Sequence, residues 1–304
     1  MSDTLRKVIE ETSSDTMQEL SAGRKKIRIV EIWKRLSKNK AAVVSLFVIL
    51  LVILVAIFAD VITPYRYDEQ DYSKSYVSPS RENLLGTDKL GRDLFSRIIY
   101  GTRQSIQLGV IAVAIASAIG MLIGAIAGYY GGWTDTIIMR VLDIYQSIPM
   151  FLLCVTLAAV MGPSLRNAIL AIGISMVPGP ARLLRASILT VRETEYIEAA
   201  KAINAGSARI IRKHIVPNAI SPLIVSTTMS IGNCILSGAG LSFIGLGAQP
   251  PIPEWGALVS DARNIMRDHG TLALYPGICI MITVLAFNLL GDGLRDALDP
   301  RLKT

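Results

Sequence analysis

Few residues in this chain are placed to do chemistry. His214 and His269 lie far apart in the sequence, and Cys154, Cys234 and Cys279 sit in apolar stretches, where a free thiol behaves as a small hydrophobe. Neither set has metal-ligand spacing, and no Cys pair suggests a disulfide framework, so no metal is expected. No Ser/His/Asp or Cys/His arrangement for nucleophilic catalysis stands out. The phosphate cradle G-x-x-x-x-G-K-[ST] is missing, and the dipeptide Gly-Lys does not occur at all. Arg140 and Asp143, three residues apart, can meet on one helix face and read as a structural pair near a membrane interface. No catalytic residue and no cofactor are expected on this chain. If it moves a solute uphill, the energy comes from another chain.

One segment has spacing suited to mechanical work: RLLRASILTVRETEYIEAAKAINAGSARIIRKHIVPNAISPLIV. Glu195 to Ile203 is a run of good helix formers with Ile197, Ala200 and Ile203 on one face. Asn204-Ala205-Gly206 breaks it, since Asn and Gly tolerate left-handed backbone at a helix end. Ser207 can cap a second helix running to Pro217. Helix, sharp turn, helix between two spans is a lever: a push on the turn moves the spans on either side. An amphipathic pair lying on lipid is the competing reading of the same pattern.

The elements that would carry such a lever are membrane spans. The 304 residues are 51% hydrophobic and only 18% charged, against about 25% charged in a soluble protein. Stretches free of Asp, Glu, Lys and Arg run through 41–59, 104–134, 144–165, 167–181, 214–253 and 271–291. A span needs about 20 residues, so six spans are expected. The third is extended backwards past Arg140 and Asp143, and the fourth is short. The first follows a long basic segment and has no A-x-A site after it, so it reads as a span and not as a signal peptide.

Lys and Arg set the orientation. With both termini inside, the inner segments hold 21 of the 31 basic residues and the outer ones 10. Residues 1–23 read as a mobile tail. The stretch GRKKIRIVEIWKRLSKNK reads as a basic helix, with Trp33 at the headgroups and Lys34, Arg35, Lys38 and Lys40 toward anionic lipid. Nucleic acid, the other target of a net charge of +7, gives way to the membrane because the apolar residues come in long runs.

Gly120, Gly124 and Gly128 form two overlapping G-x-x-x-G steps, a pattern for close helix packing. Gly232, Gly238, Gly240, Gly245 and Gly247, with Pro250, Pro251 and Pro253 after them, make the fifth span a candidate pore-lining helix with a broken outer end; a packing cluster without a pore is the alternative. In the outer segment 63–103, a turn at Gly86-Thr87-Asp88 with a cap at Thr87 or Asp88 precedes an apolar face of Leu94, Phe95, Ile98 and Ile99. Asp93, Ser96 and Arg97 lie opposite. This helix, like QPPIPEW at 249–255, either meets an outside partner or seals the outer mouth.

EAAKAIN followed by HIVP resembles the EAA signature of binding-protein-dependent ABC importer permeases. Glu198, Ala199 and Ala200 match its start and Pro217 its end. The signature glycine position is Asn204 here, with Gly206 two residues later, and the signature I-x-L is His214-Ile215-Val216. LLGTDKLGRDLFSRIIYGTRQSIQLG (84–109), LSFIGLGAQPPIPEWG (241–256) and NLLGDGLRDALDPRL (288–302) resemble the second, C-type, permease subunit of dipeptide/oligopeptide importers.

The resemblance implies an all-α polytopic membrane protein of the type I ABC importer fold, with six transmembrane helices and both termini cytoplasmic, in a bacterial or archaeal cell membrane. It divides the chain into a tail and basic helix (1–40), a first span (41–62), an outer segment (63–103), a five-helix core with its coupling loop at 182–217 (104–291) and a tail (292–304). It implies a second homologous permease, two ATPase subunits carrying ATP-Mg, and an extracytoplasmic peptide-binding protein. The coupling residues it implies are Glu198, Ala199, Ala200, Asn204, Ala205, Gly206 and Pro217. The function that follows is import of a di- or oligopeptide, or a related small solute, by alternating access. An autonomous secondary transporter or channel is the competing class.

Overall fold

The computed structural model describes residues 30–202 and 206–298; the tail at 1–23, together with Ile203, Asn204 and Ala205, lies outside these residues. A helix at 30–36 (α1) leads into α2 (Lys40–Ile57), whose start is capped by Asn39 accepting from the Ala42 amide at 3.2 Å. After α3 (Ala59–Ile62) the chain crosses a strap, 63–93, to α4 (Leu94–Tyr130). Next come α5 (Gly132–Gln146), α6 (Met150–Met161), α7 (Leu165–Ser175) and α8 (Pro178–Arg192). The lever segment is α9 (Glu195–Ala202), α10 (Ser207–Ile210), a π-helical turn (Ile211–Ile215) and α11 (Val216–Ala219). The chain ends through α12 (Ser221–Phe243), a short α13 (Trp255–Ala262) and α14 (Thr271–Leu298). Among the described residues there is no strand, only an isolated bridge between Thr87 and Asp93.

Five helices are long and apolar enough to cross a membrane, with α7 and α8 together forming one of them, Leu165–Arg192. The α5–α6 pair is a sixth candidate, bent by 81°. The third span, expected at 144–165 with an extension backwards past Arg140 and Asp143, is therefore broken. Its cause is Pro149 at the start of α6, which lacks an amide hydrogen and disfavours helix in the residue before it. The fourth span is longer than expected. Arg182 and Arg185 end the charge-free stretch but not the helix, because each finds a carboxylate on α5.

At about 1.5 Å per residue the 37-residue α4 is roughly 55 Å long, so it spans the membrane and rises beyond it. It is the central post, packing against α2, α5, α7, α8 and α12, while α14 fills the space between α2 and α12. One apolar cluster joins Leu108, Ala112, Ala168, Ile172 and Leu241 of α4, α7 and α12; another joins α2 and α14 through Ala42, Ile49, Ala286 and Phe287. α4 ends at Gly131, whose φ of 65° with ψ of −157° suits only glycine and turns the chain into α5.

Candidate functional site

The lever segment is built on α8 and α4. Gly120, Gly124 and Gly128 put the α4 backbone directly on α8. A Cβ at Gly124 would lie 2.3 Å from the Ala181 carbonyl oxygen. At Gly120 it would lie 2.9 Å from the Val177 oxygen, and at Gly128 2.9 Å from Ile188 Cβ. At the far end of α8, the Arg192 guanidinium donates to the Gly128 and Tyr129 carbonyls at 3.2 and 3.3 Å, satisfying the last turn of α4. Arg185 makes a two-pronged ion pair with Asp135 of α5. α4, α5 and α8 are thus fastened together where the lever begins.

The lever rests on this base through one apolar cluster. Ile197 and Ala200 of α9, Ile210 of α10, Ile215 of the π turn and Ala219 of α11 close over Leu184, Ile188 and Ala125. Ile197, Ile210 and Ile215 have essentially no exposure. Burying such a side chain is worth about 1.5–3 kcal/mol. The opposite faces are open: Glu195, Glu198, Gly206, Arg209, Arg212, Lys213 and Pro217 are all exposed. No described atom lies within 4 Å of a Cβ built on Gly206. Of the seven signature residues, then, Glu198, Gly206 and Pro217 face outward and Ala200 packs inward; Asn204, Ala205 and the side chain of Ala199 lie outside the described residues.

The opposite end of the bundle carries a cap. Glu254, 1% exposed, accepts from the Gly256 and Ala257 amides at 2.9 and 3.0 Å and from Ser105 Oγ at 3.1 Å, starting α13 against α4. Trp255 donates its indole N–H to the Ile98 carbonyl at 3.1 Å. The strap is pinned beside it. Asp93 caps α4 by accepting from the Ser96 amide at 2.7 Å, not Thr87 or Asp88 as the sequence pattern suggested. Asp88 is instead committed to the Leu90 and Arg92 amides and to the guanidinium groups of Arg92 and Arg97.

Arg97 corrects a second expectation: it is 2% exposed, and Ser96 and Asp93 are buried with it. The polar face of this helix turns inward under the strap, because Asp88 neutralises Arg97 there. Asp261 of α13 stands 3.8 Å from Arg97, tying the cap to the strap. Arg103 donates to the Ala56 and Ile57 carbonyls and to Asp60, fastening α3 to α4. His269 stacks on Tyr76 at 4.5 Å.

Sequence reasoning missed the partners of α8. Asp143 pairs with Arg182 at 2.6 Å and not with Arg140, its neighbour on α5. The signal was present as Asp135 and Asp143 on one apolar-rich helix and Arg182 and Arg185 on another, but pairing across sequence is not visible in spacing.

Residues 120–304 match the family described as binding-protein-dependent transport system inner membrane component, and residues 28–79 match the N-terminal TM domain of oligopeptide transport permease C. The dipeptide transport system permease protein DppC of Alkalihalophilus pseudofirmus is 48% identical over 274 residues, 90% of either chain. The glutathione transport system permease protein GsiD of Pectobacterium atrosepticum is 44% identical over 275 residues, 90% of this chain and 91% of that one. In fold, an inward-facing structure of the MetNI methionine ABC transporter is similar with a TM-score of 0.55 at 20% identity, over 67% of this chain and 97% of that one. With most of its length matched by one family and its first span by the amino-terminal segment of a permease subunit, the chain belongs to the binding-protein-dependent transport system inner membrane components.

Proposed function

We propose that this permease subunit imports peptides, from dipeptides to short oligopeptides or peptide-like solutes such as glutathione, and that residues 195–217 are where an ATPase subunit pushes. The observation that carries the reading is the two-faced lever: Ile197 and Ala200 are sealed onto α8 and α4, while Glu198 stands outward beside an open turn. A displacement applied to that outer face passes into α8, and from α8 through Arg185 and Arg192 into α5 and α4. This is a two-state element biased by a ligand held on another chain.

The remaining parts of the reading follow from the family. The importer has a second permease subunit, two ATPase subunits carrying ATP-Mg and a binding protein delivering peptide from outside. The lever faces the cytoplasm and the α13 cap faces outward, in the cell membrane. The permease itself holds no ATP site. An autonomous transporter would move substrate without ATP; no observation here favours it.

The test is affinity isolation of the chain from its native membranes in gentle detergent, wild type beside Glu198→Arg, with mass spectrometry of what comes along. Retention of a second polytopic subunit and an ATPase by the wild type, with selective loss of the ATPase from the variant, supports the assignment. Loss of neither, or wild type isolated alone under conditions that preserve such complexes, sinks it.

A further inference from the structure

The Asp143–Arg182 pair sits where an exposed ion pair should not. Ten residues separate Arg182 from the end of α8 at Arg192, about 15 Å of helical rise, and eleven separate Asp143 from the start of α5 at Gly132, about 16 Å. The packing of Gly124 on Ala181 gives a third ruler: Arg182 is level with a point six residues, about 9 Å, inside Tyr130. Tyr130 and Trp133, both largely exposed, mark the interface at that end. The pair therefore lies at hydrocarbon depth. Yet the Asp143 and Arg182 side chains are 53% and 41% exposed. Charged groups at such depth face a bundle interior or water, not lipid.

The surrounding surface separates the two. Around α5, Trp133, Ile137, Val141 and Ile144 form an exposed apolar stripe suited to lipid. Next to it, at i, i+4, i+7 and i+11, Thr136, Arg140, Asp143 and Ser147 form a second exposed stripe that is entirely polar. The open face of α8 carries Gly179, Ala186 and Thr190, and no large apolar side chain is exposed from Pro178 to Arg192. On α12, Asn233 is likewise exposed at span depth. Arg140 has no carboxylate within ion-pair distance among the described residues, which leaves this polar face with an excess cation.

We propose that the α5–α8 face is a substrate-contacting wall of the translocation passage, and that Asp143, Arg182 and Arg140 form a transient binding site for a zwitterionic peptide. Asp143 receives the peptide ammonium, and the two guanidinium groups receive its terminal carboxylate. The resident ion pair opens to admit both ends and closes behind them, so neither charge is left bare at hydrocarbon depth. The proposal rests on the importer reading and deepens it by naming the substrate chemistry of the passage.

The experiment uses the whole importer, reconstituted with its partners in proteoliposomes, and reads peptide uptake per ATP hydrolysed. Removing one charge-assisted contact by Arg182→Gln is expected to lower uptake per ATP about tenfold. The complex should still assemble, and Arg182→Lys should recover part of the loss. In a chain whose three native cysteines are replaced, Ala186→Cys is expected to react with a membrane-impermeant thiol reagent, more slowly when nucleotide holds the ATPases closed. Unchanged uptake per ATP in Arg182→Gln overturns the proposal. So does an Ala186→Cys chain that resists the reagent and crosslinks to the second permease instead, which makes this face a subunit contact. A wild-type complex that hydrolyses ATP without moving peptide removes the importer reading itself, and the proposal with it.

Discussion

Ser105 Oγ and Glu254 Oε1 lie 3.1 Å apart inside the protein and join two segments separated by 149 residues. Around them Ser105 also accepts from the Trp255 amide, and Glu254 holds the Gly256 and Ala257 amides in the first turn of α13. Pro253 and Gly256 pass so close to their neighbours that a Cβ on Gly101 would lie 2.2 Å from the Pro253 carbonyl oxygen, and one on Gly256 2.3 Å from Ala239 Cα. The start of the cap is therefore held by a polar knot, beside the apolar cluster in which Trp255, Leu258 and Ala262 pack against Leu94, Ile98 and Leu272. Glu254→Ala leaves three buried donors unpaired, each worth about 1–3 kcal/mol. Thermal unfolding of the purified chain in detergent should drop by many degrees, with Glu254→Gln intermediate. An Ala variant that melts like wild type would show that the knot does not hold α13.

The α4–α8 contact makes a sharper prediction, because backbone meets backbone. Gly124→Val must push α8 away from Ala181, and overpacking of this kind costs about 1–3 kcal/mol or more. Gly179, on the open face of α8 with nothing within 4 Å, is the matched control. Gly179→Ala should express and elute as wild type on size-exclusion chromatography, while Gly124→Val should aggregate or fall in yield. Equal behaviour of the two would remove the close-packing argument.

What the sequence made legible follows from local physics. Apolar runs marked the spans, because lipid demands long uninterrupted hydrocarbon. The periodicity of Ile197 and Ala200 marked the buried face of α9, and the glycine step marked the α4 face that meets α8. What failed was non-local. Arg182 and Arg185 looked like loop residues until Asp143 and Asp135 supplied partners. Arg97 looked like a surface charge until the strap brought Asp88 over it. Asp88 looked like a cap until those arginines claimed it, leaving Asp93 to start the helix. In each case an isolated segment shows the charge, and only the tertiary fold shows what neutralises it.

Arg97 then becomes a stability residue. It is buried against Asp88 and faces Asp261, and its Nε has no hydrogen-bond partner. Reversing its charge sets a carboxylate against Asp88 in a dry site, and breaking a buried pair costs about 3–5 kcal/mol. Arg97→Glu should lower expression and thermal stability. Arg97→Lys, which keeps a cation facing Asp88 and Asp261, should lose less of both. A variant that folds normally yet loses binding-protein docking would return Arg97 to the outer surface.

The two faces of α9 predict opposite phenotypes from neighbouring residues. Ile197 is fully buried in the cluster that seats the lever, so Ile197→Ala leaves a cavity costing about 2–5 kcal/mol. Glu198 is exposed, so Glu198→Arg should leave the melting temperature of the isolated chain within about a degree or two, as surface substitutions usually do. In the assembled importer the order reverses: Glu198→Arg should release the ATPase and abolish uptake. Ile197→Ala should bind the ATPase at low temperature while losing coupling, hydrolysing ATP with little transport, because the push no longer reaches α8. Measuring melting temperature, ATPase retention and uptake per ATP on both variants separates docking from transmission. If Ile197→Ala transports as efficiently as wild type, the apolar seat is not the route by which motion enters the spans.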